Sequence, residues 1–371
     1  MEQKYIFIDE TIEVNDRTLT RIKAIRSFGN VKQGDLGGFL ESTKNLSHAG
    51  KCWVYDNACV YKNAKVFDDA KIMGEAYVYD DSSIYNNAEI SGRASVYTHA
   101  EVFGDAKVSD DATVGGCAMI YEEADVGGSA SIHGEVKIYG ESIIKGDTEV
   151  SGKVSIYGES FVHEDANISG HVTISDSEVR GEANISNFVK VINNSTISGN
   201  SLLCDSVICD NSTIYGNVRI DCDSVIEEST LSGAVTVRLN SKVINSEITG
   251  IVKIRDDSHI ENTRITGELY LHSDAYIKDK KDFISIRGFG SSYSNTSFFK
   301  CRDGSVKVTS GCFEGTLEEF GEAVVKNRSG KVMEEYLDII KLADYHFMDE
   351  NSENSDEEEN KSFFKRLFSK K

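Results

Sequence analysis

From Val60 to Ile174 every sixth residue is Val or Ile, twenty positions without a slip. Two residues before that aliphatic position stands Ala in thirteen of the twenty steps, among them Ala58, Ala64, Ala70, Ala76 and Ala88. Two residues after it stands Gly, Asp or Asn in sixteen, among them Asp68, Gly74, Asp80 and Asn86. Strand residues two apart share a face, so Ala58 and Val60 point inward together while Cys59 and Tyr61 point out. Gly, Asn and Asp best tolerate the left-handed backbone that a sharp corner requires. The apolar spacing of three and four that marks a helix is absent. The pattern therefore predicts an all-β coil of short strands, a parallel β-helix built from hexapeptides.

Beyond residue 161 the rhythm shortens. Thr213, Thr230, Glu247 and Arg264 open four near-copies of seventeen residues. In these copies Ile214, Leu231, Ile248 and Ile265 align, as do Gly216, Gly233, Gly250 and Gly267. The aliphatic spacing becomes six, six, five, which predicts the same solenoid with one tighter corner per coil. No linker separates the two rhythms.

The consensus A-x-V-x-G-x resembles the left-handed β-helix family, whose triangular coils hold three hexads. That resemblance implies the handedness, an exception to right-handed crossovers. At about 4.8 Å per coil and ~18 residues per coil, roughly 225 residues would make a prism ~60 Å long. The stretch Leu19–Ala58, with Gly37-Gly38 before Leu40-Glu41 and Asn45-Leu46-Ser47 before Trp53-Val54, resembles the N-terminal part of YdcK-like proteins. These are bacterial hexapeptide-repeat proteins described as acetyltransferase-like, with relatives in phages and prophages.

Open solenoid ends expose strand edges and need caps. Tyr5–Ile8 and Leu19–Ile25 alternate like a hairpin with Asn15-Asp16 at its turn, and Gly34–Gly38 leads into the coils. Near the other end, Phe298–Arg302 and Ser305–Thr309 flank Asp303-Gly304, a two-residue hairpin signal. Thr316-Leu317-Glu318-Glu319 is a capping box, and Leu317, Phe320 and Val324 continue its apolar stripe. A second amphipathic helix follows Ser329-Gly330 through Val332, Tyr336, Ile339, Ile340, Ala343 and Phe347. The organisation so read is an N-terminal β-hairpin cap over 1–57, a parallel β-helix over 58–282, a small ββαα module over 283–348, an acidic disordered spacer over 349–360 and a basic amphipathic tail over 361–371.

The 371 residues include no Pro, which suits an uninterrupted hydrogen-bond ladder. The net charge of −21 divides into −18 over residues 1–282, −1 over 283–348 and −2 over the rest. So acidic a solenoid repels phosphate backbones, so no nucleic-acid partner is expected. Neither a signal peptide nor a membrane-spanning apolar run is read, and the expected compartment is the cytoplasm. The eight cysteines lack CxxC or metal-ligand spacing and are expected reduced, with Cys209 at a core position and Cys301 and Cys312 flanking the hairpin.

Enzymes on the resembling fold are acyltransferases with a His at a trimer interface and a loop extruded from one corner. The Val60–Ile174 register leaves no room for that loop. His99, His133, His163 and His171 fall singly at outward or corner positions, and corner Asp and Glu read as turn residues. No Ser-His-Asp spacing or glycine-rich nucleotide motif appears. No catalytic residue, metal ligand or cofactor is expected.

Two features read as binding surfaces. Outward residues eighteen apart stack, which places Phe67, Tyr85, Phe103, Tyr121, Tyr139 and Tyr157 in one column. A shorter column of Tyr61, Tyr79 and Tyr97 breaks at Gly115. Such a ladder by itself stabilises the stack, and its exposed edge is expected to serve a protein partner, a sugar chain or a second copy. In the tail, Phe363, Phe364, Leu367 and Phe368 share one helical face opposite Lys361, Lys365, Arg366, Lys370 and Lys371. That segment suits an anionic membrane surface, at the inner face of the membrane, or a protein groove. The function expected is a non-enzymatic scaffold or interaction protein, tethered by its tail. The alternatives are an acyltransferase-like enzyme and a small-molecule-binding protein with a pocket at a cap junction.

Overall fold

In the computed structural model of the chain, residues 2–205, 207–290 and 293–348 are described. The chain packs as two units, Met1–Asp205 and Ser206–Lys371, and each is taken by itself. Both are built around a parallel β-solenoid, and the second also carries a C-terminal sheet and two helices.

The first unit opens with strands β1 (Tyr5–Val14), β2 (Arg17–Ala24) and β3 (Leu36–Leu40). β1 and β2 pair antiparallel across Asn15 and Asp16, both left-handed. β3 pairs antiparallel with β2 and parallel with Cys59–Val60, so one strand splices the hairpin onto the coils. The parallel ladder reaches further toward the N-terminus than residue 58, because Trp53–Val54 pairs with Lys71–Ile72 and Leu46 bridges to Val66. Lys4 closes the cap from inside. Its fully buried Nζ donates to the Cys52 carbonyl at 2.8 Å and sits 5.0 Å from the Phe28 ring.

Most eighteen-residue coils contribute three two-residue strands, though Ser131–Gly134 is four residues long and Glu149–Tyr157 runs nine through a corner. Glu101–Val102, for example, pairs with Ser83–Ile84 on one side and Met119–Ile120 on the other. The Val or Ile of every step and the Ala two before it are buried, so the core is a column of small and branched side chains in alternation. The corners are left-handed at the glycines and at Asp68, Asp80, Asn86 and Asp110. Lys62, Thr98, Glu122 and Glu164, the four corner residues outside the Gly/Asn/Asp preference, take the same conformation. The stack therefore imposes the corner, and side-chain identity only tunes its cost. Corner carboxylates also have a structural duty. Asp56, Asp110 and Glu122 accept the backbone N–H of Gly74, Gly128 and Gly140 one coil on, at 3.0, 2.9 and 2.8 Å. Part of the acidity thus ties coil to coil, beyond any effect on solubility.

Coil length is read from the register. Val162 pairs with Val179 seventeen residues on, but Val179 pairs with Ile197 after eighteen. In the second unit the seventeen-residue repeat holds throughout, Ile248 lying between Leu231 and Ile265. A buried polar column closes its short corner. The backbone N–H groups of Ser229, Ser246 and Thr263 each donate to the hydroxyl of the preceding member, Ser212, Ser229 and Ser246, at 3.1 Å.

The C-terminal module differs from the ββαα reading. Four antiparallel strands, Phe283–Ile286, Thr296–Lys300, Val306–Ser310 and Phe313–Thr316, precede helices α1 (Leu317–Asn327) and α2 (Gly330–Phe347). The hairpin turn is also longer than two residues. Cys301 donates to the Ser305 carbonyl at 2.8 Å, leaving Arg302, Asp303 and left-handed Gly304 at the tip. Thr316 and Glu319 form the reciprocal capping box of α1. Phe298, Val308, Phe320, Val324, Tyr336, Leu337 and Ile340 make the module's own core. No disulfide joins any of the eight cysteines, and Cys209 is fully buried. No helix among the described residues is long and apolar enough to cross a membrane.

Candidate functional site

The ring column stands on one face of the first unit. Successive centroids from Phe67 through Tyr85, Phe103, Tyr121 and Tyr139 lie 4.9 Å apart with planes within 6° of parallel. The last step, to Tyr157, is 5.1 Å and 12°. This spacing matches the separation of hydrogen-bonded strands, so the rings stack without distorting the backbone. All six rings are half-buried, each covered by its neighbours and open at its edge. The outward residue two before each ring belongs to the same face: Lys65, Ser83, Glu101, Met119, Lys137 and Ser155. That face carries three charges in a strongly acidic chain. Tyr85 donates to Glu101 at 3.0 Å, and burial together with that carboxylate pushes its pKa up to about 12.

The shorter column stacks Tyr61 on Tyr79 at 5.1 Å and Tyr79 on Tyr97 at 5.3 Å. Gly115 ends it because the Tyr97 ring occupies the space of a side chain there, with Cζ 2.5 Å from where a Cβ would stand. The histidines read as solitary are not all so. His163 Nε2 lies 3.0 Å from Glu178 and its ring stacks on Phe161, and His171 stacks on Phe188. His99 is exposed, 4.0 Å from Asp81. Among the described residues no group of three His, Cys, Asp or Glu side chains is arranged to hold a metal ion. The tail residues Phe363, Phe364, Lys365, Arg366, Leu367 and Phe368 lie outside the described residues.

A groove of about 950 Å³ runs along another face of the first unit, lined by Lys51, Asp69, Lys71, Glu89, Lys107 and Asp125 among others. Several of its charges are already paired: Lys51 with Asp69 at 3.0 Å, Lys71 with Glu89 at 2.5 Å, and Asp125 with Lys145 at 3.2 Å.

The second unit holds a site with a different balance. Parallel register stacks Arg219, Thr236, Lys253 and Tyr270 in one outward column. Two residues further along each coil, Asp221, Arg238, Arg255 and His272 form the next. The sheet strand Val306–Ser310 and the turn after it border both, and a half-open cavity of about 670 Å³ is lined by Arg219, Arg238, Lys253, Arg255, Tyr270, His272, Thr309 and Glu314. Asp221 is fully buried and accepts Nε of Arg219 at 2.7 Å and of Arg238 at 2.6 Å. Burial pushes the Asp221 carboxyl up, but the two guanidiniums outweigh it and hold the pKa below the usual carboxylate range. Arg255 pairs with Glu314, and with the corner residue Asp256 at 3.6 Å. Lys253 lies over the Tyr270 ring at 4.8 Å and has no carboxylate within ion-pair distance among the described residues. His272 and Thr309 are buried, and among the described residues His272 Nε2 and Thr309 Oγ1 meet no hydrogen-bond partner. Burial pulls the His272 pKa below its ordinary value against the influence of the Val308 backbone.

No protein-family model matches the chain. No curated protein matches it either.

Proposed function

We propose that the chain is a non-enzymatic interaction scaffold that assembles with a second copy of itself through the ring column. In this reading it is a left-handed hexapeptide-repeat protein of the YdcK-like kind, with phage- or prophage-encoded relatives. The observation that carries the reading is the column of six half-buried rings on a face with three charges. Two copies of a protein with net charge −21 repel one another at their acidic corners. A near-neutral aromatic face is where that repulsion is weakest and the apolar gain greatest. The tail 361–371 adds a second contact, with an anionic membrane surface at the cytoplasmic side, which would hold the scaffold peripherally. Sedimentation equilibrium of the full chain, with Lys65→Glu/Lys137→Glu as the variant, tests the assembly. An acyltransferase-like activity is the rival reading, and turnover of acetyl-coenzyme A would replace this one.

A second reading, small-molecule binding beside the C-terminal module, is favoured by the basic cavity of the second unit.

A further inference from the structure

We infer that the cavity between the coil columns of Arg219 and Arg238 and the Val306–Ser310 strand binds a small phosphate monoester. The inference rests on the second reading above, small-molecule binding, and gives it a ligand class.

Charge is the first ground. The cavity wall and the Asp221 beneath it bring four cations, Arg219, Arg238, Lys253 and Arg255, against two carboxylates, Asp221 and Glu314. Asp256 stands outside the wall at a corner, and Glu268 is engaged by Tyr270 and Arg287. With Asp256 counted against Arg255, to which it pairs at 3.6 Å, one positive charge remains, which suits an anion. In an acidic chain such a concentration is not a by-product of composition.

Pre-organisation is the second. Asp221 takes one Nε–H from each of Arg219 and Arg238, which fixes both guanidinium planes. Arg238 also engages Cys222, and the terminal N–H groups of Arg219 are placed to form the two-pronged contacts that suit phosphate oxygens. Lys253 adds a point charge that no carboxylate neutralises among the described residues.

The third ground is independent of charge. Two buried side chains of the wall, His272 and Thr309, keep one polar atom each without a hydrogen-bond partner among the described residues. Native structures seldom leave such atoms unmet, and where they do a missing ligand or water is a common reason. His272 Nδ1 already faces the Ser273 hydroxyl at 2.6 Å, so Thr309 Oγ1 is the clearer of the two unmet atoms. The volume of about 670 Å³ falls within the range of small-molecule sites.

Calorimetric titration of the full chain with phenyl phosphate, phenol and benzoate at low ionic strength tests the inference. Saturable binding of phenyl phosphate, weakened tenfold or more in Lys253→Gln and in Arg219→Gln, is expected. Lys253 is exposed and makes no ion pair among the described residues, so its variant leaves the fold intact. Inorganic phosphate should compete, and phenol should not. Phenyl phosphate binding that is equal in wild type and Lys253→Gln overturns the assignment to this cavity. If benzoate or phenol binds there and phenyl phosphate does not, the phosphate class fails while small-molecule binding stands. If none of the three binds, both fail.

Discussion

The rings of Phe103 and Tyr121 lie 4.9 Å apart and 1° from parallel, on the same face of successive coils. Their backbones are locked by Glu101–Met119 and Val102–Ile120 pairing, so the stack is a consequence of register. Each ring contact adds roughly 0.5–1.5 kcal/mol beyond the area it buries. Tyr121 has two ring neighbours and Tyr157, at the end of the column, has one. Tyr121→Ser should therefore cost about 1–3 kcal/mol in urea unfolding and Tyr157→Ser about half as much. Equal losses would show that the rings do not reinforce one another.

The inward phase is tested one coil strand further on. Val102 is completely buried and Lys107 is exposed. Val102→Asp places an unpaired carboxylate in a narrow apolar column and should destabilise by several kcal/mol, about 3 or more. Lys107→Gln should change stability by no more than about 0.5 kcal/mol. Similar losses at both positions would reverse the assignment of inside and outside.

How much of this was legible in the sequence follows from the physics of each element. The coil fold was, because a core two residues wide needs the same side chains at the same phase in every step, and Val102 or Ala106 has no other place to go. The shortened corner was visible as a spacing of five between Ile226 and Leu231, but its cause was not. No sequence pattern sets Ser229 and Ser246 apart, and only the register shows that each hydroxyl takes the next coil's amide. The strands Phe283–Ile286 and Phe313–Thr316 carry no clear sequence signal, because four residues cannot display alternation clearly. The basic cavity was hidden for a different reason. Arg219, Arg238, Lys253 and Thr309 come from three coils and a hairpin, and no local motif joins them.

Two buried titrating groups in the second unit give a pH dependence of defined sign. The Asp221 pKa is held below its unfolded value, so its contribution is present above about pH 4 and is lost as pH falls through the folded value. The His272 pKa is also lowered, so the unfolded chain takes up a proton that the folded one refuses once pH drops below about 6.5. Thermal unfolding midpoints should thus fall as pH is lowered from 7.5 to 5.5, and His272→Gln should reduce that slope. A slope unchanged in His272→Gln would place the linkage elsewhere.

The tail prediction concerns residues 361–371. A helix of eleven residues is marginal alone in water, so it should gain structure only on a surface. Each Lys or Arg near an anionic leaflet contributes about 1 kcal/mol, screened by salt. The full chain should co-sediment with phosphatidylserine-containing vesicles and not with neutral ones, less so as salt rises. Phe364→Asp/Phe368→Asp should abolish it. Wild type that stays in the supernatant at low salt removes the membrane contact from the proposal.

Self-association through the ring face is the central functional claim, and sedimentation equilibrium of the full chain measures it most directly. Lys65 and Lys137 are exposed on that face, so Lys65→Glu/Lys137→Glu makes it acidic without disturbing the coil core. The account predicts a concentration-dependent dimer or higher assembly for the wild type, strengthened as salt screens the acidic corners and weakened at least tenfold in the variant. A wild type that remains a monomer at every concentration and salt, or an assembly that the two substitutions leave unchanged, contradicts it.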